Sequence, residues 1–475
     1  MPVSLVGDQP FENTPSLEAK ALRINLNDNI YGTFAEIGAG QEVVRHFFRC
    51  GGASGTIAKT MSAYDKNFSD AIYGKGKSYV SEERLNQMLD HEISHLEKRI
   101  LKEDRSKKIF FTYANTVTTI DFAKKFKGHG WMGIKFQTEP NGPYSMISTH
   151  LRFHEIDARS QQESVGVVGV NLIYGAFYQH DRPRKMLRYL FDHIDKSAIE
   201  IDTINFTGPL FKDIDNRILS LELVKNGMTE AVMFGPDGNN LLPARVLYKK
   251  NILAIRGSFR PVTNVNMDMF TSSSSLFYLD EDVDEDNTMN IFEITLSNLR
   301  SNGTGFIDEQ DFMDRAKLLC AMGQTVMISN FKEYYRLVEY FSNYTTKKTV
   351  MTMGVDNLIK VFEDKYYSNL SGGILEAFGK LFKHNIEIYL YPLIKGEKLI
   401  DSSNLQVEDN MKNLYKYFKD NQKIRDIEDF NKSLLNIYSW EVLEEIKNNS
   451  PGREQKLPEA ISKLIKEKKL FGYSN

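Results

Sequence analysis

The sequence predicts an α/β protein whose second half is a doubly wound parallel sheet, preceded by an α+β N-terminal region and followed by a helical C-terminal region. Three observations carry this expectation. After Lys250, short β-branched runs alternate with helical stretches of about 10 to 15 residues, the rhythm of βαβ crossovers. From Ile109 strand-like runs gather close together, which reads as an α+β domain. Before residue 106 and after about Glu408 the apolar spacing is mainly helical. The expected organisation is a mainly helical region over 1–105, an α+β domain over 106–248, an α/β domain over 249–397 and a helical region over 398–475.

Size and charge fit this division. The chain has 475 residues, and at about 150 residues per domain each part can bury its own core. Lys plus Arg (60) nearly balances Asp plus Glu (63), leaving a net charge of -3 and no general field for nucleic acid or an anionic membrane. Cys50 and Cys320 are too few for a disulfide framework and read as buried thiols in a reducing compartment. Met1 to Pro10 lacks the basic run and apolar core of a secretory signal. No apolar stretch approaches the roughly 20 residues of a bilayer-spanning helix, so a cytoplasmic protein without a membrane partner is expected.

Taken in order, Gln41–Arg49 and Glu82–Leu101 have helical spacing, separated by the glycine-rich turn Gly51–Gly55. Strands are expected over Ile109–Thr119, Trp131–Gln137, Met146–His154, Val165–Ile173, Ile199–Phe206 and Ala231–Gly235, with a helix over Met186–Ile194. The regular alternation then runs strand 252–256, helix 266–279, strand 291–296, helix 308–322, strand 325–329, helix 332–342 and strand 349–353. Helices from Asp356 and after Gly373 and a strand over 386–391 complete it. The acidic run Asp280–Asp286 reads as a solvated loop, and Pro458–Leu470 is an amphipathic helix.

Where the first of these parallel strands hands over to a helix stands Gly257-Ser258-Phe259-Arg260-Pro261-Val262-Thr263-Asn264-Val265-Asn266. Ligands bind at such junctions. Gly257 and Ser258 would let backbone approach a phosphate, Pro261 would fix the turn, and the free amides of the next helix would face an anion. Arg256 and Arg260 bracket the turn with positive charge suited to a polyphosphate. The segment resembles the phosphate-binding signature of the adenylyltransferase branch of the nucleotidyltransferase superfamily, especially the pantetheine-phosphate and nicotinate or nicotinamide mononucleotide enzymes. Gly257, Ser258, Phe259, Pro261, Val262 and Thr263 match that signature in order, and Asn264 agrees with the phosphopantetheine version. Arg260 stands in place of an acid or amide, Val265 in place of Gly, and Asn266 in place of a phosphate-stabilising His.

A second match, Met353-Gly354-Val355-Asp356-Asn357-Leu358, is similar to the nucleotide-contacting Gly-x-Asp-Asn-Leu segment of mononucleotide adenylyltransferases. Asp356 and Asn357 could bond ribose hydroxyls or a base edge, whereas in the plain reading Asp356 caps its helix. The family's third motif, a Ser-rich turn ending in Arg, has only Ser402-Ser403-Asn404-Leu405 in the expected stretch.

The resemblance implies a Rossmann-like nucleotidyltransferase domain over about 250–395. Its expected activity is transfer of AMP from ATP to a phosphorylated cosubstrate, nicotinate or nicotinamide mononucleotide being the best match, with release of pyrophosphate. Arg260, Thr263 and Asn266 would then be catalytic, and Gly257, Ser258, Phe259, Gly354, Asp356 and Asn357 would bind nucleotide. Mg²⁺ would come with ATP. The alternative is a catalytically inactive nucleotide-binding regulator or scaffold. Either way the expected partners are small nucleotides, with homo-oligomerisation compatible and nucleic acid excluded.

Other motifs have plainer readings. His91-Glu92-Ile93-Ser94-His95 matches a zinc-peptidase pattern, but at about 100° per residue Leu85, Leu89, Ile93, Leu96 and Ile100 share one face and the two histidines lie on the far flank, so no zinc is expected. Asn302–Phe312 resembles half an EF-hand loop, yet its first ligand would be Arg300; Asp308 as a helix cap explains it. Gly51–Thr56 lacks the Gly-Lys-Thr adjacency of a phosphate loop. Val165–Asn171 has two glycines, short of a dinucleotide fingerprint, and reads as a closely packed buried strand. In Gly128-His129-Gly130-Trp131 the exposed-looking His and Trp could contact a substrate, a turn with an aromatic anchor being the commoner reading.

Overall fold

A computed structural model describes residues 14–100, 106–124, 127–300, 306–383 and 385–473. The chain divides into two compact units, Met1–Thr229 and Glu230–Asn475, each a mixed α/β structure around its own sheet. None of its helices, among the described residues, is long and apolar enough to cross a membrane.

The sheet of the first unit contains β1 (Ile30–Gly38), β2 (Ile57–Ala63), β3 (Ile109–Thr118), β4 (His129–Phe136), β5 (Ser145–Phe153) and β6 (Ile199–Thr207), in the order β2-β1-β3-β4-β5-β6. β1 lies parallel to both β2 and β3, and β3 to β6 continue as an antiparallel meander. One sheet face presents Phe34, Phe111, Tyr113, Met132, Ile134 and Ile147 to a core shared with the helices Leu17–Asn25, Glu42–Arg49 and Ala158–Tyr178. The helix Glu82–Arg99 lies against β3 and β4, its Leu85 and Leu89 above Gly133.

Three expectations change here. Residues 1–105 hold more helix than strand but do not stand apart, because β1 and β2 join β3 in the parallel part of this sheet. β1 is buried along almost its whole length, so it lacks the alternation that marks a half-buried strand. Val165–Ile173 is the middle of the 21-residue helix Ala158–Tyr178. Its glycines permit close packing of helix on helix: a Cβ on Gly169 would stand 2.4 Å from Val43 Cγ2 and 2.8 Å from the Tyr113 hydroxyl, and one on Gly166 would stand 2.9 Å from Glu42 Cβ. Gly128–Trp131 enters β4 directly and is not a turn.

The second unit is built on β7 (Ala231–Phe234), β8 (Asn240–Leu241), β9 (Asn251–Arg256), β10 (Thr288–Thr295), β11 (Thr325–Ser329), β12 (Thr349–Gly354) and β13 (Ile386–Tyr391). A hairpin of β14 (Leu393–Lys395) and β15 (Lys398–Ile400) stands apart, and β16 (Ile424–Asp426) returns to the main sheet. The order is β16-β13-β12-β9-β10-β11-β7-β8. From β9 the chain winds one way through β10 and β11, returns to the centre for β12, and continues the other way through β13 and β16, all parallel. β7 closes the β11 edge antiparallel.

Both sheet faces are covered. Ile252, Ala254, Met351 and Ile388 face Leu337, Leu358 and Phe378 of three following helices, while the intervening Leu253, Val350 and Tyr389 face Phe277 of the helix Asn264–Tyr278. The expected boundary at 248/249 thus lies past β7 and β8, which already belong to this sheet. The expected helical region from 398 contributes β15 and the sheet strand β16.

Candidate functional site

The centre of the second sheet brings the two predicted nucleotide segments together. β12 pairs with β9 in a register that sets Thr352 against Ile255, an offset of 97 residues (352 minus 255), which is also 354 minus 257. Gly257 and Gly354 therefore follow neighbouring parallel strands at the same sheet end, where the winding reverses and the following helices pack on opposite faces, the position at which ligands bind in such sheets. Gly354 opens the helix Val355–Val361, and a Cβ built on it meets nothing within 4 Å. Beside it Asp356 is exposed and Asn357 half-buried.

The glycine turn is more occupied than its sequence suggested. Gly257 donates its N–H to the Glu293 carbonyl at 3.1 Å, and a Cβ there would meet the Phe259 ring at 2.8 Å. Phe259 has φ 47° and is 1% exposed, its ring 5.3 Å from that of Phe292. The need for glycine thus arises from the turn's own aromatic ring, and Phe259 is a filler of the turn. Ser258 is exposed and its carbonyl accepts from Arg315 at 3.1 Å.

Nor are the flanking cations free. Arg256 forms a two-pronged ion pair with Glu293 at 2.7 and 3.0 Å and stacks over Tyr334. Burial opposes its charge and Glu293 more than restores it. Burial also pushes the Tyr334 hydroxyl up to about 12. Arg260 pairs with Asp311, which also holds Arg315, yet its side chain keeps 38% exposure at the rim of the turn.

Thr263 caps the helix Asn264–Tyr278, and the Asn266 carboxamide oxygen accepts both the Thr263 N–H and its hydroxyl at 3.0 Å. Capping of the helix accounts for that oxygen, leaving the Asn266 amide as its available donor. The Asn264 side chain donates to the Gln455 carbonyl at 2.9 Å. On the β12 side of this sheet end, Tyr391 pairs with Gly354 and donates to Asp268 at 2.6 Å.

Two polar groupings in the first unit were invisible in the sequence because their members lie on different strands. At the C-terminal end of β1, Glu36 is 1% exposed and accepts from Ser62 at 3.1 Å. Burial raises its carboxyl to about 7, against the pull of Ser62 and the Val44 amide. Across β4, β5 and β6, His129 Nδ1 lies 3.1 Å from His150 Nε2, and His150 Nδ1 lies 2.7 Å from Asp202 Oδ1. Only His129 carried a signal, through its glycine-flanked segment.

The remaining motifs fall elsewhere. His91 and His95 stack on one another with ring centroids 4.1 Å apart, and Glu92 is held by Tyr73 and Lys59. Asp308 caps the helix Glu309–Ala321 through the amides of Gln310 and Asp311; residues 302–305 of the EF-hand-like stretch lie outside the described residues. Ser402 bonds Asp426. Cys320 is buried, whereas Cys50 is only half-buried. Among the described residues no group of three or more His, Cys, Asp or Glu side chains could hold a metal ion.

No protein-family model matches the chain, and no curated protein does. Among solved structures it is similar to the competence/damage inducible protein CihA from Agrobacterium tumefaciens, at 15% identity over 38% of this chain and 98% of that one, with a TM-score of 0.25. A competence-damaged protein (CinA) superfamily protein from Enterobacter cloacae is 9% identical over 36% of this chain and 99% of that one, TM-score 0.27. A competence or damage-inducible protein from Enterobacter asburiae is 11% identical over 34% and 99%, TM-score 0.25. At TM-scores this low the likenesses carry no weight for fold or function.

Proposed function

We propose that the second unit is a Rossmann-like nucleotide-binding domain of the adenylyltransferase type, taking ATP and a phosphorylated cosubstrate at the sheet end where β9 and β12 finish. The observation that supports this reading is the register of β9 and β12, Ile255 against Thr352, which brings Gly257 and Gly354 to the same sheet end. Ser258 and the rim-exposed Arg260 would meet phosphate oxygens. The open space over Gly354 would admit a sugar or base, with Asp356 and Asn357 within its reach. The reaction is in-line attack of the cosubstrate phosphate on the α-phosphorus of ATP, releasing pyrophosphate, with nicotinate or nicotinamide mononucleotide as the proposed cosubstrate. Catalysis of this kind needs positioning and charge stabilisation, not a protein nucleophile. Thr263 and Asn266 would hold the helix end that faces the phosphates, and Mg²⁺ would enter with ATP. A cytoplasmic setting goes with this substrate.

Binding without turnover is the second reading. It is favoured by the engagement of Asn266 in the cap and of Arg260 with Asp311, and would make the unit a nucleotide-sensing regulator.

The test is calorimetric titration of the full chain with Mg·ATP and each mononucleotide, followed by a pyrophosphate-release assay. Saturable binding is expected, weakened about tenfold or more in Gly354→Val, whose side chain enters open space and so leaves the fold intact. Arg260→Ala is expected to lower turnover about 10²- to 10³-fold, as loss of one charge-stabilising group does. Binding with no pyrophosphate would select the second reading; no heat and no pyrophosphate with any pairing would remove both.

A further inference from the structure

We propose that the first unit carries a reaction centre of its own, in which Asp202 and His150 activate His129 as a nucleophile toward neutral acyl groups. A carboxylate only accepts hydrogen bonds, so the 2.7 Å contact of Asp202 Oδ1 places the proton of His150 on Nδ1. His150 Nε2 then carries a lone pair, and the 3.1 Å contact places the proton of His129 on its Nδ1. His129 Nε2 is left with a lone pair and makes no hydrogen bond among the described residues. This is the order of a carboxylate–imidazole–nucleophile triad, with an imidazole N–H where other triads have a hydroxyl.

The backbone is shaped to make this row. His150 faces Trp131 across β4 and β5, and their rings lie 5.1 Å apart. Between β5 and β6 the register shifts at His150/Leu151: His150 pairs with Thr203 and Leu151 with Ile201. Asp202 is therefore the extra residue of a bulge, a device that re-aims a side chain. Asp202 and His150 are 2% and 1% exposed, and Asp202 Oδ2 has no hydrogen-bond partner. A buried carboxylate with one oxygen unsatisfied is costly to keep, which calls for a purpose. His129, at the mouth of the row, is only half-buried. Burial, and then His150, lowers its pKa to about 4, so its ring is neutral at physiological pH.

The surrounding charge selects the electrophile. Arg152, across from His129, is paired with Glu200. Glu200 thus engages both Arg152 and His154, and with Asp202 it brings two carboxylates to the site, which disfavours a phosphate ester and suits an uncharged ester or amide. In the reaction, His129 Nε2 adds to the acyl carbon while its Nδ1 proton passes to His150 Nε2, and the resulting imidazolium rests against Asp202. The bond to the leaving alkoxide breaks, and the proton returns to it by way of water. A second water then adds to the acyl carbon, the acyl–Nε2 bond breaks, and one water proton restores His129 Nδ1. The sum is ester plus water giving acid plus alcohol.

The test uses the full chain and p-nitrophenyl acetate. A burst of p-nitrophenolate is expected, with a transient acetyl group mapped by mass spectrometry to His129 in preference to the exposed His154. Asp202→Asn is expected to slow acylation about a hundredfold, the scale of an assisting acid–base group. Because that buried variant could unfold, ¹⁵N NMR of the wild-type imidazoles supplies an independent check: both His129 and His150 should be protonated at Nδ1. Acetylation without preference for His129, an unchanged rate in a folded Asp202→Asn, or a proton on His129 Nε2 would each overturn the proposal.

Discussion

Glu36 shows how a single buried group can set the response of the first unit to pH. Its folded carboxyl titrates near 7 against an ordinary value of 4.5, with burial as the main cause. A raised carboxyl pKa means that the fold prefers the protonated form. Its stability contribution is complete below about 4.5 and is lost as pH rises through about 7, amounting to a few kcal/mol on the usual linkage. Glu36→Gln keeps an uncharged amide in place of the protonated acid. Urea titrations of the wild type are expected to show a fall in stability between pH 4.5 and 7 that the variant lacks; the same slope in both proteins would assign it to another group.

Elements differ in how openly the sequence declared them. The parallel strands β9 to β13 were legible because each is short, β-branched and bounded by helical spacing, and their joint offset made the meeting of Gly257 and Gly354 legible too. The occupancy of the turn was not: Arg256 and Arg260 find Glu293 and Asp311 on other elements, and no local pattern reports such partners. The helix Ala158–Tyr178 misled for a related reason. Valines and glycines have strand character taken alone, but Gly166 and Gly169, three residues apart, form a helix face onto which the helix Glu42–Arg49 closes. Gly169→Ala is accordingly expected to destabilise the protein by about 1 to 3 kcal/mol, the cost of overpacking, despite alanine's better helix propensity. A stability unchanged or raised in chemical denaturation would show that the helices part without penalty.

At the scale of the molecule, two separate cores imply two folding units. Fragments 14–229 and 230–473 should each melt cooperatively with native-like near-ultraviolet circular dichroism; a fragment lacking that signal would show that one core depends on the other. The expected boundary fell near residue 248 because β7 and β8 precede the regular alternation and β7 runs against it, so nothing in their own sequence ties them to strands that come later. That placement bears on how the second unit is made. β7 leaves the ribosome first, but its partner β11 pairs Ser329 with Ala231 and emerges only after most of a hundred further residues. The opening strand, paired only to β8, must wait with its other edge open while much of its unit is made, and nascent chains halted before residue 325 would present that edge for chaperones to shield.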